Sequence, residues 1–87
     1  QHDFAARYLF MIDGMKEPLF IAVKDDKLEI SYGKQENIDV NAKLSDQVLE
    51  SIVEGRMTFQ RAFMTGEMTA KGNFKTLRML DTMFNFV

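Results

Sequence analysis

Apolar and polar positions alternate through most of the first half of the chain, and that period of two predicts strands. Phe4 to Ile12 is almost continuously apolar, with Tyr8, Phe10 and Ile12 on one face and Leu9 and Met11 on the other. This pattern predicts a strand covered on both sides. Asp13-Gly14 opens a polar break, and Pro18 precedes a second strand, Leu19 to Lys24. Asp25-Asp26 turns the chain into Lys27 to Tyr32, where Leu28, Ile30 and Tyr32 alternate with Lys27, Glu29 and Ser31. A polar loop from Gly33 to Asn37 leads to a fourth strand, with Ile38, Val40, Ala42 and Leu44 inward. Short polar breaks between four strands predict an antiparallel meander.

From Ser45 the period changes. Ser45 is a good N-cap with Asp46 in the first turn; Val48, Leu49, Ile52 and Val53 form a stripe, and Gly55 ends the helix. Thr58 caps a second short helix, on which Phe59, Ala62 and Phe63 share a face before Gly66. Glu67 to Lys71 alternates again, with Met68 and Ala70 inward, and Gly72 breaks this fifth strand. Asn73 then caps a last helix running towards Phe86. Two helices separate the fourth and fifth strands, so their connection crosses the sheet. The polar outer positions of the third and fourth strands place the helices on the opposite face. The prediction is a single α+β domain over residues 1–87, with a five-stranded, mainly antiparallel sheet and helices packed on one face.

The last helix is too apolar for one docking face. Leu77, Leu80, Met83, Phe84 and Val87 make a broad stripe, and Phe74, Met79 and Phe86 widen it beyond the ~100° that a sheet covers. A ligand, a second subunit or a further segment of chain should bury the excess. Asp81 falls between Leu77 and Phe84, so it should pair with Arg78 or Arg61, or sit at a wet pocket mouth.

Composition narrows the function. The chain of 87 residues is 46% hydrophobic and 28% charged, with seven Met and eight Phe, and it carries a net charge of −2. That charge argues against a nucleic-acid partner, and no run is long enough for stable membrane insertion. Without cysteine there is neither a disulfide framework nor a thiolate metal site, so the default expectation is the cytoplasm. His2 has no neighbour at metal-ligand spacing, and Ser31, Ser45 and Ser51 have no histidine partner. Asp25-Asp26 reads as a solvated turn, and the five glycines form no phosphate-cradling cluster. The pattern predicts no catalysis, no metal and no cofactor. Arg56, Arg61 and Arg78 are candidates for an anionic headgroup, although surface ion pairs are the commoner fate of such residues.

The run SDQVLESIVEGRMTFQRAFMTGEMTAKGN, Ser45 to Asn73, resembles the sterol carrier protein 2 family of lipid-binding domains. The resemblance rests on Asp46, Leu49, Ile52 and Gly55 in one helix, followed by Ala62, Phe63, Gly66, Gly72 and Asn73 at the family's spacing. It implies an apolar tunnel between sheet and helices for fatty acids, fatty acyl-CoA or sterol-like ligands. Carried over by position, the lining is Phe59, Phe63, Met64 and Met68, then Phe74, Leu77, Leu80, Met83 and Phe84. Family members usually begin with an amphipathic helix, whereas only Gln1 to Asp3 precede the first strand here. Relatives often carry a C-terminal tail; this sequence ends in Asn85, Phe86 and Val87, without a peroxisomal-type signal. The resemblance thus implies a lipid or fatty acyl partner and lipid transport. The rival expectation is a homodimer seam, or a docking face within a larger fused protein, with no lipid.

Energetics limit how such a tunnel can exist. A domain of this size retains about 5–10 kcal/mol of stability. A dry tunnel of ~300 Å³ forfeits on the order of 7 kcal/mol at about 24 cal/mol per Å³. The empty protein should therefore collapse around its Met and Phe side chains, or purify occupied.

Overall fold

A computed structural model describes residues 5–84. Phe4 at the head of the first strand, His2, and the end of the last helix at Phe86 and Val87 lie outside the described residues. The elements run β1 (Ala5–Ile12), β2 (Leu19–Lys24), β3 (Lys27–Tyr32), β4 (Val40–Leu44), α1 (Asp46–Val53), α2 (Phe59–Thr65), β5 (Met68–Gly72) and α3 (Phe74–Met83). The fold is α+β, with five strands and three helices among the described residues. Ile38 precedes β4, which starts at Val40.

The sheet order is β3-β2-β1-β4-β5, so the meander covers only the first three strands. β4 pairs parallel with β1, Tyr8 facing Val40 and Ile12 facing Leu44, and the other three pairings are antiparallel. Alternation encodes which face a residue takes; it carries no information about which strand lies alongside. Arg7 holds several bonds to the returning chain. Its side chain donates to the carbonyls of Glu36 and Asn37, its backbone N–H donates to Asp39 Oδ2, and Asp39 N–H donates back to Arg7 O. Asn37 takes a positive φ of 62° in this crossing.

The register puts Tyr8, Phe10, Ile21, Val40, Ala42 and Met68 on the helix side, all buried in one core with Ile52, Phe59, Leu77 and Leu80. The outer face of β1 is not covered as its apolar run suggested: Leu9 is half-buried and Met11 is 45% exposed. Phe20 is buried on that face, with the Arg7 guanidinium 4.8 Å from its ring centre. On β3, Leu28, Ile30 and Tyr32 have the predicted parity, since they face Val23, Ile21 and Leu19. They are nevertheless 39%, 52% and 59% exposed, on the outermost strand of the sheet.

Local signals start and stop the helices as expected. Ser45 accepts from Val48 N–H, Thr58 from Arg61 N–H, and Asn73 from the N–H groups of Lys75 and Thr76. Gly66 ends α2 in the left-handed conformation at φ 83°. Gly72 is the glycine with the strictest requirement: its φ is 137°, and an added Cβ would stand 2.3 Å from the carbonyl oxygen of Asp39. The last residue of β5 must pass this close to the chain entering β4. Gly72→Ala is therefore expected to cost about 2–3 kcal/mol, read as a lower urea midpoint; an unchanged midpoint would contradict the close approach.

Candidate functional site

The two faces of the candidate site are α2 with α3 on one side and β4 with β5 on the other. The phenylalanines of this region fall into two groups. Phe59 is 1% exposed and bridges the layers, its ring 5.2 Å from that of Phe10 and 5.4 Å, edge-on, from that of Phe84. Phe63 is half-buried and meets Phe74, 37% exposed, at 5.5 Å. That second pair forms the rim of a cleft lined by Val40, Phe63, Ala70, Gly72, Asn73, Phe74 and Leu77.

The open volume of this cleft is about 20 Å³. One water needs roughly 10–15 Å³ by a comparable measure, and a ligand pocket is typically at least ~300 Å³. The layers are thus closed on one another here, one of the two outcomes the cavity cost allows. The cleft offers apolar surface and the side chain of Asn73, whose Oδ1 is engaged in capping α3.

The nine carried-over lining residues occupy different depths. Phe59, Met68, Leu77 and Leu80 are core residues, each 2% exposed or less. Phe63, Met83 and Phe84 pack against that core while half-buried. Phe74 stands at the rim, and Met64 is 69% exposed, outside the buried cluster. Val40, Ala70, Gly72 and Asn73 also line the cleft without having been singled out from the sequence. The inward parity of Val40 and Ala70 was legible there, but their depth along the strands was not.

Asp81 does not pair with Arg78 or Arg61. Its carboxylate accepts from the backbone N–H of Phe59 at 2.7 Å and of Gln60 at 2.9 Å. Together with Thr58, which takes the N–H of Arg61, it satisfies the first turn of α2 from outside that helix. A seven-residue helix has little stability of its own, so α2 is latched onto α3 by this carboxylate. Sequence spacing does not report backbone partners on another element.

Burial pushes the Asp81 carboxyl above its ordinary value, against the two backbone N–H bonds that pull it down. Because its folded-state value is raised, its contribution to stability is fully present below the ordinary carboxylate range. The contribution is lost as pH rises through the raised value. In urea titrations across the acid range, the wild type should lose ground relative to Asp81→Asn as pH increases. A difference independent of pH would contradict this assignment. On the other flank of α3, the Tyr8 hydroxyl donates to the Thr76 carbonyl at 2.5 Å, and burial, with Asp39 and Asp81 nearby, pushes its ionisation upward.

The arginines considered for a headgroup are all exposed. Arg56 is engaged locally with Glu54 and with Ser51 Oγ. Arg78 borders an open groove of about 520 Å³ along α3, together with Asn73, Lys75, Thr76, Met79 and Thr82. Asn73 is shared between this groove and the closed cleft. Among the described residues no group of three His, Asp or Glu could hold a metal, and no helix is long and apolar enough to cross a membrane.

Comparison with known proteins places this geometry. The fatty acid-binding protein of Yarrowia lipolytica (strain CLIB 122 / E 150) is 33% identical over 63 residues, covering 69% of this chain and 48% of that protein. The chain therefore spans about half the length of that curated relative. Sterol carrier protein 2 from Yarrowia lipolytica, in its apo form, superposes with a TM-score of 0.73 at 26% identity, over 93% of this chain and 67% of that one. The stereoselective inverting sec-alkylsulfatase Pisa1 from Pseudomonas sp. shares the fold alone, with a TM-score of 0.73 at 18% identity. It is matched over 95% of this chain but only 13% of its own. The pattern of the SCP-2 sterol transfer family matches residues 2–85, nearly the whole sequence, and on that evidence the chain belongs to this family.

Proposed function

We propose that this protein binds long-chain fatty acids or related acyl lipids, without catalysing a reaction on them, in the cleft between α2–α3 and β4–β5. The observation that carries the reading is the closed apolar cleft beneath a short helix whose first turn is held from outside. Opening it costs free energy in proportion to the volume created. An entering acyl chain fills that volume and returns ~0.8 kcal/mol for each CH₂ buried. A flexible chain can thread between two closed layers in steps, whereas a rigid sterol needs a wide slot at once. The fatty acid-binding name of the Yarrowia relative supports the same ligand class.

Asn73 gives the ligand an orientation. It borders both the apolar cleft and the groove that carries Lys75 and Arg78, so a carboxylate at the cleft mouth meets two cations on α3. The apolar contacts supply affinity and the cations add a modest preference for anionic headgroups. Binding is expected to be loose in chain length. Titration with a fluorescent fatty acid, with displacement by unlabelled palmitate, tests this: saturation at one ligand per chain in the micromolar range supports it. Signal that never saturates, or that palmitate does not displace, would remove it.

A further inference from the structure

We infer that Asp81 is the latch of a gate: its hold on the first turn of α2 keeps the cleft closed, and α2 must leave it to admit an acyl chain. The inference rests on the lipid-binding reading of the cleft and adds to it what limits entry. α2 is seven residues long and packs against α3 and β5. It runs antiparallel to α3: Phe59 at its start stands beside Asp81 and Phe84, and Phe63, one turn later, stands beside Phe74. Among the described residues, the hydrogen bonds that join α2 to another helix or strand are the two that Asp81 accepts, from Phe59 N–H at 2.7 Å and Gln60 N–H at 2.9 Å. The other bonds at its ends are local: Thr58 takes Arg61 N–H, and the Thr65 hydroxyl bonds to Ala62 O and Glu67. Both connections are short. Arg56 N–H is bonded back to Ser51 O of α1, which leaves Met57 and Thr58 before α2, and Gly66 and Glu67 alone precede β5. A two-residue tether spans at most about 7 Å, so α2 can tilt away from the sheet but cannot swing clear.

Phe59, Ala62 and Phe63 form the face that α2 turns inward, the first two 1% and 0% exposed. Tilting α2 withdraws this face and joins the space it leaves to the closed cleft of about 20 Å³ beside Phe63. Apolar packing opposes the motion in proportion to the area uncovered, but an entering acyl chain covers the same area again. The carboxylate bonds behave differently. Methylene groups offer no acceptor to the amides of Phe59 and Gln60, so the ligand does not replace what Asp81 supplied. This contribution belongs wholly to the closed state and sets how rarely the empty protein opens. Apparent affinity is reduced by the fraction of molecules in the competent state. The latch therefore slows entry and weakens binding at once.

Stopped-flow uptake of a fluorescent fatty acid by the whole chain tests this. Asp81→Asn keeps the shape and one acceptor oxygen but puts an NH₂ group where the second oxygen stood, so one of the two bonds is lost. Its association rate should rise about tenfold, the ratio to which one charge-assisted hydrogen bond corresponds. Affinity should gain by the same factor, with the dissociation rate unchanged. A residue that only supported the fold would give weaker binding instead. Thr58→Ala, which removes a cap that α2 carries with it, should gain nothing. Amide hydrogen exchange of the wild type is a second readout that does not depend on a variant folding. The amides of Phe59 and Gln60 should exchange by local opening, faster than those of β1, and lose further protection with palmitate bound. An Asp81→Asn protein that takes up the probe no faster than the wild type overturns the gate and leaves the lipid reading intact. So do Phe59 and Gln60 amides as protected as those of β1. A wild type without saturable uptake removes the lipid reading, and the gate with it.

Discussion

Phe59→Ala is expected to lower the unfolding free energy by about 3–5 kcal/mol, the usual cost of removing a buried phenylalanine. Phe59 is 1% exposed, and its ring touches Phe10 on the sheet and Phe84 at the end of α3. Aromatic pairs of this kind contribute roughly 0.5–1.5 kcal/mol beyond the area they bury. Its backbone N–H also donates to Asp81 Oδ1, so the residue ties α2 to both layers at one point. Against a total of about 5–10 kcal/mol for a domain this small, the loss leaves a marginally folded protein. Urea denaturation would show the midpoint falling by about half with the slope retained. A loss below about 1 kcal/mol would mean that the region repacks freely.

Phe63→Arg is expected to remove lipid binding while leaving the fold in place. Phe63 is half-buried at the rim, beside Phe74, and lines the cleft. A guanidinium there reaches solvent in the empty protein and costs little. When an acyl chain enters, the charge must be either buried or displaced. An effect on the order of 2–3 kcal/mol corresponds to affinity roughly 30- to 200-fold weaker. Lys43→Gln on the outer sheet face, paired opposite Thr69 and remote from the cleft, should bind as the wild type does. Equal weakening in the two variants would place the ligand elsewhere.

The fold was largely legible because its signals are local. Alternation from Leu19 to Tyr32 marked both strands of the hairpin, and Ser45, Thr58 and Asn73 announced their helices through capping chemistry. Gly72 and Asn73 carried the resemblance, and the structure gives a physical reason for the glycine in its approach to Asp39. Non-local features were not legible. The parallel β1–β4 pairing is accompanied by bonds from Arg7 to a loop about 30 residues away, a contact that no local pattern records. Parity assigned Leu28, Ile30 and Tyr32 to the inner face, but whether a helix reaches them is set by helix placement.

The candidate site was legible in its chemistry and less so in its depth. The Phe- and Met-rich segments stood out in the sequence as the candidate lining, and the structure gathers most of them between α2–α3 and the sheet. Helical spacing alone did not separate Leu80, sealed in the core, from Phe74 at the rim and Met64 in solvent. Asp81 shows a further limit. Its position on an apolar stripe signalled a partnered carboxylate, yet its partners are backbone donors on another helix, which no pattern of side chains records.

Intermolecular NOEs between palmitate and the isotopically labelled chain probe the opening of the cleft most directly. Contacts from the acyl methylenes to Phe63, Phe74 and Leu77, accompanied by shifts at Phe59 and Gln60 where Asp81 holds α2, are the predicted result. Contacts confined to Leu9 and Met11 on the outer face, or to the exposed row of Leu28, Ile30 and Tyr32, would contradict it.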